Sequence, residues 1–282
     1  MSKSFKQVTE QENILMVVDA LNLAFRWKHS GATDFQEDYI RTVDSLRKSY
    51  KAKWVIIAAD QGSSSYRKAI FPDYKQNRKD KFAEQTDAEK AAFEMFFEDY
   101  QKTLDQLRNQ TTYPVIQFDK TEADDIAAYI AKFVNSSSIV DHCWLISSDR
   151  DWDLLISEKV SRFSYVTRKE ITANNWTSHY DFTKDEYISI KCLTGDTGDN
   201  VPGVPGIGPK RALQLVQEYG TALDIVAQLP INSKLKYIQA LNQSGDQIML
   251  NYQLMDLETF CQDALGDNTK QMDQILENYI NE

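Results

Sequence analysis

Four short apolar runs punctuate the chain, and each ends in or just ahead of acidic residues. Ile14–Val18 runs into Asp19, and Trp54–Ala59 runs into Asp60. Val115–Phe118 precedes the Thr-Glu-Ala-Asp-Asp stretch that starts at Thr121, and Trp144–Ile146 leads into Ser147–Asp153. Unbroken apolar runs flanked by helical patterns predict buried strands of a mainly parallel α/β sheet. In such sheets, sites form beyond the carboxyl ends of the strands. The recurrence of acids there therefore marks a candidate site. Val160–Thr167 predicts a further strand.

Helices are predicted between and after these runs. Thr86 with Glu89 reads as a capping box, followed by Phe93, Phe96, Phe97, Tyr100, Leu104 and Leu107 at helical spacing. Thr121–Val134 predicts a helix capped by Thr121, with Ile126, Ile130 and Phe133 toward the core. Near Phe182–Lys184 the pattern turns helical and stays so, interrupted by a Gly/Pro-rich stretch and by Pro230. That places a domain boundary at 182/183. The last helices carry no identifiable chemistry, and no internal repeat is present.

Two stretches stand apart from this scheme. Gln61–Gln110 opens loop-like and basic, with Arg67, Lys68, Lys75, Arg78, Lys79 and Lys81. Tyr74 beside Lys75 and Arg78 mixes a stacking ring with cations, as single-stranded nucleic acid requires; a solvated basic loop is the alternative. In Gly195–Gly220, Asp196 and Asp199 share a Gly-punctuated turn. Gly203, Gly206 and Gly208 then permit positive φ and close backbone approach. Lys210 and Arg211 open a helix whose free N–H groups favour a phosphate oxygen. This reads as a helix–hairpin–helix that grips one DNA backbone without reading bases, or as a tight helix–helix turn. The carboxylate pair directly upstream favours the grip.

Composition narrows the field. The 282 residues hold one large or two modest domains, and 26% charged with 42% apolar residues is globular usage. No apolar run has the length of a membrane span, and the polar opening lacks a signal peptide's apolar stretch. Cys143, Cys192 and Cys261 are odd in number and far apart. They form neither a disulfide framework nor a zinc site, and predict thiols in a reducing cytoplasm. His29, His142 and His179 are scattered, giving a histidine mechanism little support, and no nucleotide-binding P-loop occurs. A net charge of −10 and pI of 4.9 forbid a uniformly basic surface. Nucleic acid is not thereby excluded: setting nine converging carboxylates aside leaves −1.

Those nine are Asp19, Asp60, Glu122, Asp124, Asp125, Asp149, Asp151, Asp196 and Asp199. Glu122, Asp124 and Asp125 at a helix start compensate its dipole. Three acids within four positions also crowd like charges, which favours a cation among them. Asp149 and Asp151 form a D-x-D after a strand, a metal pattern and equally a turn; an EF-hand is excluded by its missing glycine and final Glu. All-oxygen ligation suits Mg²⁺ or Mn²⁺. So many carboxylates exceed one octahedral ion and suit a pair about 3.5–4 Å apart, the arrangement of phosphodiester hydrolysis. Lys75 and Arg78 are the candidates to stabilise the phosphate's non-bridging oxygens.

The ordered set VDALNL, AAD, YKQNR, EADD, SSDRDWD and GDTGDNVPGVPGIGPKRA, spread over nearly the whole chain, resembles the 5′-nuclease (flap endonuclease) superfamily. It is most like stand-alone bacteriophage 5′-exonucleases and the 5′-nuclease domain of bacterial DNA polymerase I. The resemblance implies an α/β fold: a PIN-like, mainly parallel sheet flanked by helices over 1–182, a helical arch at about 74–108, and a helical DNA-binding domain over 183–282 whose hairpin motif spans about 195–220. It implies 5′-3′ exonuclease and flap endonuclease activity on DNA ends, flaps, nicks and junctions, by a monomer in the cytoplasm, the host's if phage-encoded. By the same resemblance, Asp19, Asp60, Glu122, Asp124 and Asp125 hold one Mg²⁺, and Asp149, Asp151, Asp196 and Asp199 the other. Asp125 and Asp196 would act through water. Lys75 and Arg78 would activate the phosphate, Tyr74 would stack on a base, and Arg26, Lys191, Lys210 and Arg211 would contact DNA. The hairpin's carbonyls would hold a monovalent cation such as K⁺. Two features depart from the pattern: the acid-rich arch stretch Lys79–Glu98, and Arg150 between two expected ligands. A non-catalytic junction binder would have to lack motif acids, and none is missing. A PIN-type ribonuclease gives no reason for the hairpin.

Overall fold

The computed structural model describes residues Glu12–Asn281; the polar opening stretch 1–11 lies outside the described residues. Two compact units are woven from alternating pieces of chain. The first takes residues up to Ser63, Thr86–Asn175 and residues from Cys261; the second takes Ser64–Gln85 and Trp176–Phe260.

The first unit is built on a six-stranded sheet of order β3-β2-β1-β4-β5-β6. Its strands are β1 (Ile14–Asp19), β2 (Trp54–Ala58), β3 (Val115–Ile116), β4 (His142–Ile146), β5 (Val160–Ser164) and β6 (Lys169–Ile171). All neighbours are parallel except β5 and β6. β1, β2 and β4 are buried along their whole length, which is why they read as unbroken apolar runs rather than alternating ones. β3 is shorter than the apolar run Val115–Phe118. As an edge strand it pairs only Val115 with Ile57 and Ile116 with Ala58. The run from Val160 ends as a strand at Ser164 and turns back through Arg168, whose φ of 57° is left-handed, into β6. Strand order runs outward in opposite senses from β1 and from β4, and between them lies the switch point where α/β sheets open a crevice.

Helix α1 (Ala20–Ser30) follows β1 directly, and α2 (Gln36–Ser49) leads to β2. The acid-rich helix α5 (Asp87–Gln110) carries the expected capping box at Thr86 and Glu89. It buries Phe96, Tyr100, Leu104 and Leu107 in the core with Trp27, Phe35 and Tyr39, while Phe93 and Phe97 remain half-buried.

In the second unit, α3 (Ser65–Ile70) and α4 (Gln76–Ala83) belong with α7 (Lys184–Thr194), the two-stranded β7 (Gly195–Asp196) and β8 (Val201–Pro202), and α8 (Pro209–Tyr219). Short helices α9 (Ala222–Ala227), α10 (Lys236–Asn242) and α11 (Gly245–Met255) complete a core around Ile190, Leu215, Ile225, Leu241 and Ile248. Asn251, fully buried, donates its side-chain amide to the Cys192 and Pro202 carbonyls, both at 2.8 Å, and so fixes the hairpin's base.

Candidate metal centre and nucleic-acid interface

In the first unit the acids gather at the switch point. Asp19 ends β1 and caps α1, accepting from the Asn22 N–H at 3.1 Å. Ser147, just beyond β4, donates its hydroxyl to Asp19 at 2.7 Å and accepts the Asp149 N–H at 3.0 Å. One serine thus ties the ends of the two central strands together. Burial above all, then the charge of Asp60 and more weakly that of Asp149, push the Asp19 carboxyl up to about 8, against the pull of its bonds from Ser147 and Asn22. A buried acid thus feels the charges of half-buried Asp60 and exposed Asp149, a situation a cation relieves.

Asp60 accepts the Ala123 N–H at 3.0 Å. It satisfies a donor at the start of α6 (Ala123–Ser136), whose cap residue, Glu122, makes no side-chain cap bond. Thr121 is not the cap; its hydroxyl turns to the Asp119 carbonyl at 3.3 Å. Glu122 and Asp125 are buried at this helix start, and Asp124 accepts the Trp152 indole N–H at 2.7 Å. Asp149 caps a 3₁₀ turn (Arg150–Leu155) by accepting the Asp151 N–H at 2.9 Å. Arg150 is exposed there. Asp153, the third acid of that run, serves the core instead, fully buried against Arg162 of β5. Among the described residues, no three His, Cys, Asp or Glu side chains are set as a ready metal-holding group. The carboxylates here accept from protein N–H and O–H groups. Their all-oxygen chemistry nonetheless fits a hard divalent ion, which keeps several waters between itself and protein ligands.

Asp196 and Asp199 lie in the second unit with the cations predicted for catalysis. Asp196 pairs with Lys191 at 3.1 Å and accepts the Gly198 N–H at 2.8 Å. Its burial would raise the carboxyl, but the Lys191 charge and these bonds hold it below the usual range. Asp199 collects the Tyr74 hydroxyl at 2.9 Å, the Arg78 guanidinium at 2.5 Å and the Lys75 ammonium at 3.8 Å. Asn77 donates to the Thr197 carbonyl at 2.7 Å, and Asn200 to the Asp73 carbonyl at 2.8 Å. The YKQNR and GDTGDN motifs, separate in sequence, thus form one bonded assembly. Lys75 adopts a left-handed φ of 57° at the start of α4 while its N–H bonds the Asp199 carbonyl.

Several expected DNA contacts differ in setting from what the sequence suggests. Tyr74 presents no exposed ring: it is 2% exposed, packed with Val201, Leu254 and Met255. Those apolar contacts bury the ring, and its hydroxyl's bond to Asp199 fixes its orientation. Lys191 is likewise buried on Asp196. In the hairpin, only Gly206 of the three named glycines has positive φ, 79°. Gly203 matters for internal contact instead, since a Cβ there would lie 2.1 Å from the Thr194 carbonyl oxygen. Gly208 is the extended cap of α8, and Pro209 starts it. Lys210 and Arg211 are exposed at this start, Arg211 donating to the Gly206 carbonyl at 2.6 Å and lying over the Tyr237 ring. Arg26 lies over Trp27 and Tyr165. Ser147, Trp152, Asn77 and Arg162 are not legible in the sequence, because each serves a partner distant along the chain or carries no acid.

Cys143, Cys192 and Cys261 are buried, and none is half of a disulfide. Among the described residues no helix is long and apolar enough to cross a membrane.

Comparison with known proteins identifies the family. The 5′-3′ exonuclease N-terminal resolvase-like domain matches residues 14–182, and the 5′-3′ exonuclease C-terminal SAM fold matches 182–275. The flap endonuclease of Escherichia phage T5 is 44% identical over 275 residues, covering 94% of this chain and 93% of its own. Flap endonuclease Xni of Shewanella oneidensis is 25% identical over 252 residues, 88% of this chain and 90% of that one. A T5 D15 flap endonuclease pseudo-enzyme–product complex with DNA and metal ions superposes with a TM-score of 0.90 at 40% identity, covering 96% of this chain and all of that one. T5 5′-exonuclease with bound zinc gives the same score and identity over 95% of this chain. The chain belongs to the 5′-3′ exonuclease family of DNA-binding, divalent-metal-dependent flap endonucleases.

Proposed function

We propose that this chain is a monomeric, structure-specific 5′-nuclease that cleaves DNA near 5′ ends, flaps, nicks and single-strand/duplex junctions with two Mg²⁺, Mn²⁺ substituting. The observation that carries the reading is the set of acids at the sheet's switch point: Ser147 donates to Asp19 and accepts the Asp149 N–H, and Asp60 accepts at the start of α6 beside Glu122, Asp124 and Asp125. Asp19, Asp60, Glu122, Asp124 and Asp125 would hold one ion and Asp149, Asp151, Asp196 and Asp199 the other, Asp125 and Asp196 through water. Bound there, divalent ions would supply an activated water and charge stabilisation for phosphodiester hydrolysis.

The protein's own groups do the positioning. Lys75 and Arg78, now on Asp199, grip the non-bridging oxygens of the scissile phosphate, a charge contribution needing no proton transfer. Tyr74 stacks on a base only by leaving its buried place. Lys210 and Arg211, with the free N–H groups opening α8, hold a duplex phosphate, and the hairpin carbonyls hold K⁺. Lys191 and Arg26 add further DNA contacts. Functionally, residues 1–182, with an arch at about 74–108, supply catalysis, and 183–282 supply the grip centred on about 195–220. The work is done in the cytoplasm, the host's for a phage-encoded enzyme.

The test is cleavage of a 5′-labelled flap and a nicked duplex in Mg²⁺ and then in EDTA, by the parent and Asp149→Asn. Cleavage should require Mg²⁺ and vanish in the variant while junction binding persists. Normal cleavage by the variant would remove Asp149 from the metal set, and parental cleavage in EDTA would overturn the mechanism.

A further inference from the structure

Away from the acids, three arginines from three elements of the first unit surround one groove of about 440 Å³. Arg26 comes from α1, Arg41 from α2, and Arg168 from the turn between β5 and β6. All three are exposed. Tyr165, on the same turn, lies half-buried with the Arg26 guanidinium 4.8 Å and the Arg168 guanidinium 4.5 Å from its ring centre. Thr42, Ser45 and Ser49 add hydroxyls along α2. The only lining acid among the described residues is Asp38, paired with Arg41, so the groove keeps a net charge of +2 on a chain of −10.

The groove is bonded to the switch point. Ser164 donates its hydroxyl to that of Ser148 at 3.0 Å, the Val166 N–H reaches the Ser148 hydroxyl at 3.2 Å, and the Ser148 N–H reaches Asn22 at 2.8 Å. Along α1, Arg26 follows Asp19 by seven residues, about 10 Å of helix rise. At about 3.4 Å of rise along the duplex axis per nucleotide of one strand, that is the axial span of roughly three nucleotides.

We infer that this groove is a second phosphate subsite for the DNA being cut. It takes a backbone phosphate about three nucleotides from the scissile one between the Arg26 and Arg168 guanidinium groups, with the nucleotide's sugar or base against Tyr165. Planar guanidinium forks suit phosphate, and an aromatic face tolerates any base. The subsite thus reads position along the strand, not sequence, and fixes how far from a junction the cut falls. This inference rests on the 5′-nuclease reading.

The experiment uses Arg168→Asn, since asparagine tolerates the left-handed turn. DNA affinity is measured in EDTA across a salt series on a flap substrate. The expected result is a three- to tenfold loss of affinity and a salt slope smaller by about 0.9, one phosphate's worth. A substrate with neutral methylphosphonates two to four nucleotides from the cut should weaken the parent equally and the variant no further. The cut should also scatter to neighbouring bonds in Mg²⁺. An unchanged slope, or equal further loss on the neutral substrate, overturns the subsite. A parent that cuts no flap in Mg²⁺ overturns instead the reading beneath it.

Discussion

Replacing Arg162 by methionine tests how the Ser147–Asp153 loop is held. Arg162 and Asp153 are 3% and 0% exposed, joined by two bonds, Nε to Oδ1 at 2.5 Å and Nη2 to Oδ2 at 2.9 Å. The remaining guanidinium nitrogen donates to the Ser147 carbonyl at 2.9 Å. Loss of Arg162 leaves a buried carboxylate without its counter-charge, a cost of about 3–5 kcal/mol, and strands the Ser147 carbonyl for about 1 kcal/mol more. With a urea slope of about 2–3 kcal/mol per molar, the midpoint should fall by about 2 M. Asp153→Leu alone should cost a similar amount, leaving a buried cation. The double variant Arg162→Met/Asp153→Leu should recover at least about 2 kcal/mol of the summed loss, because an apolar pair needs no counter-charge. Additive losses, or an Arg162→Met cost under about 1 kcal/mol, would show that the pair does not support the loop. Because this loop carries Asp149 and Asp151, cleavage should drop in Arg162→Met even where the protein remains folded.

His142 is buried with Nδ1 unpartnered, and burial pushes its pKa down from 6.5 to about 4. The unfolded chain therefore binds the proton first, and stability present above pH 6.5 drains away as pH falls toward 4, by about 3 kcal/mol; His142→Phe should flatten that stretch of a pH–stability curve. Lys75→Ala should lower kcat far more than it weakens substrate binding, and equal losses in both would indicate simple phosphate binding. Gly203→Ala forces a methyl to 2.1 Å from the Thr194 carbonyl oxygen; it should cost several kcal/mol and abolish DNA binding in a mobility-shift assay, which a freely binding variant would contradict.

β1, β2 and β4 could be read directly because each is buried on both faces, so burial itself writes an apolar run. β6 could not: Lys169 and Glu170 are exposed, and only Ile171 turns inward. The acids were visible as residue types, but their relations were not. Asp60 serves α6 across 63 residues of chain, so Thr121, the nearer hydroxyl, looked like the cap. Asp153 sits in the same run as Asp149 and Asp151, and only the fold reveals that its partner is an arginine two strands along the order from β1. Tyr74 looked like a free ring because its neighbours are charged; the apolar contacts that bury it come from Val201, Leu254 and Met255, far along the chain. Local patterns report faces and caps, while long-range pairings leave no trace in periodicity.

The alternation of the two compact units has a bearing on synthesis. A ribosome that has released residues up to 182 has made neither body in full. The sheet still lacks the closing helix (Thr269–Asn281), whose Tyr279 hydroxyl accepts the Val55 N–H at 3.2 Å. The helical body already holds Ser64–Gln85 but waits for nearly everything after Trp176. Activity cannot emerge partway through translation, and recombination that exchanges halves between relatives at 182 must keep matched both a borrowed segment and a returning tail.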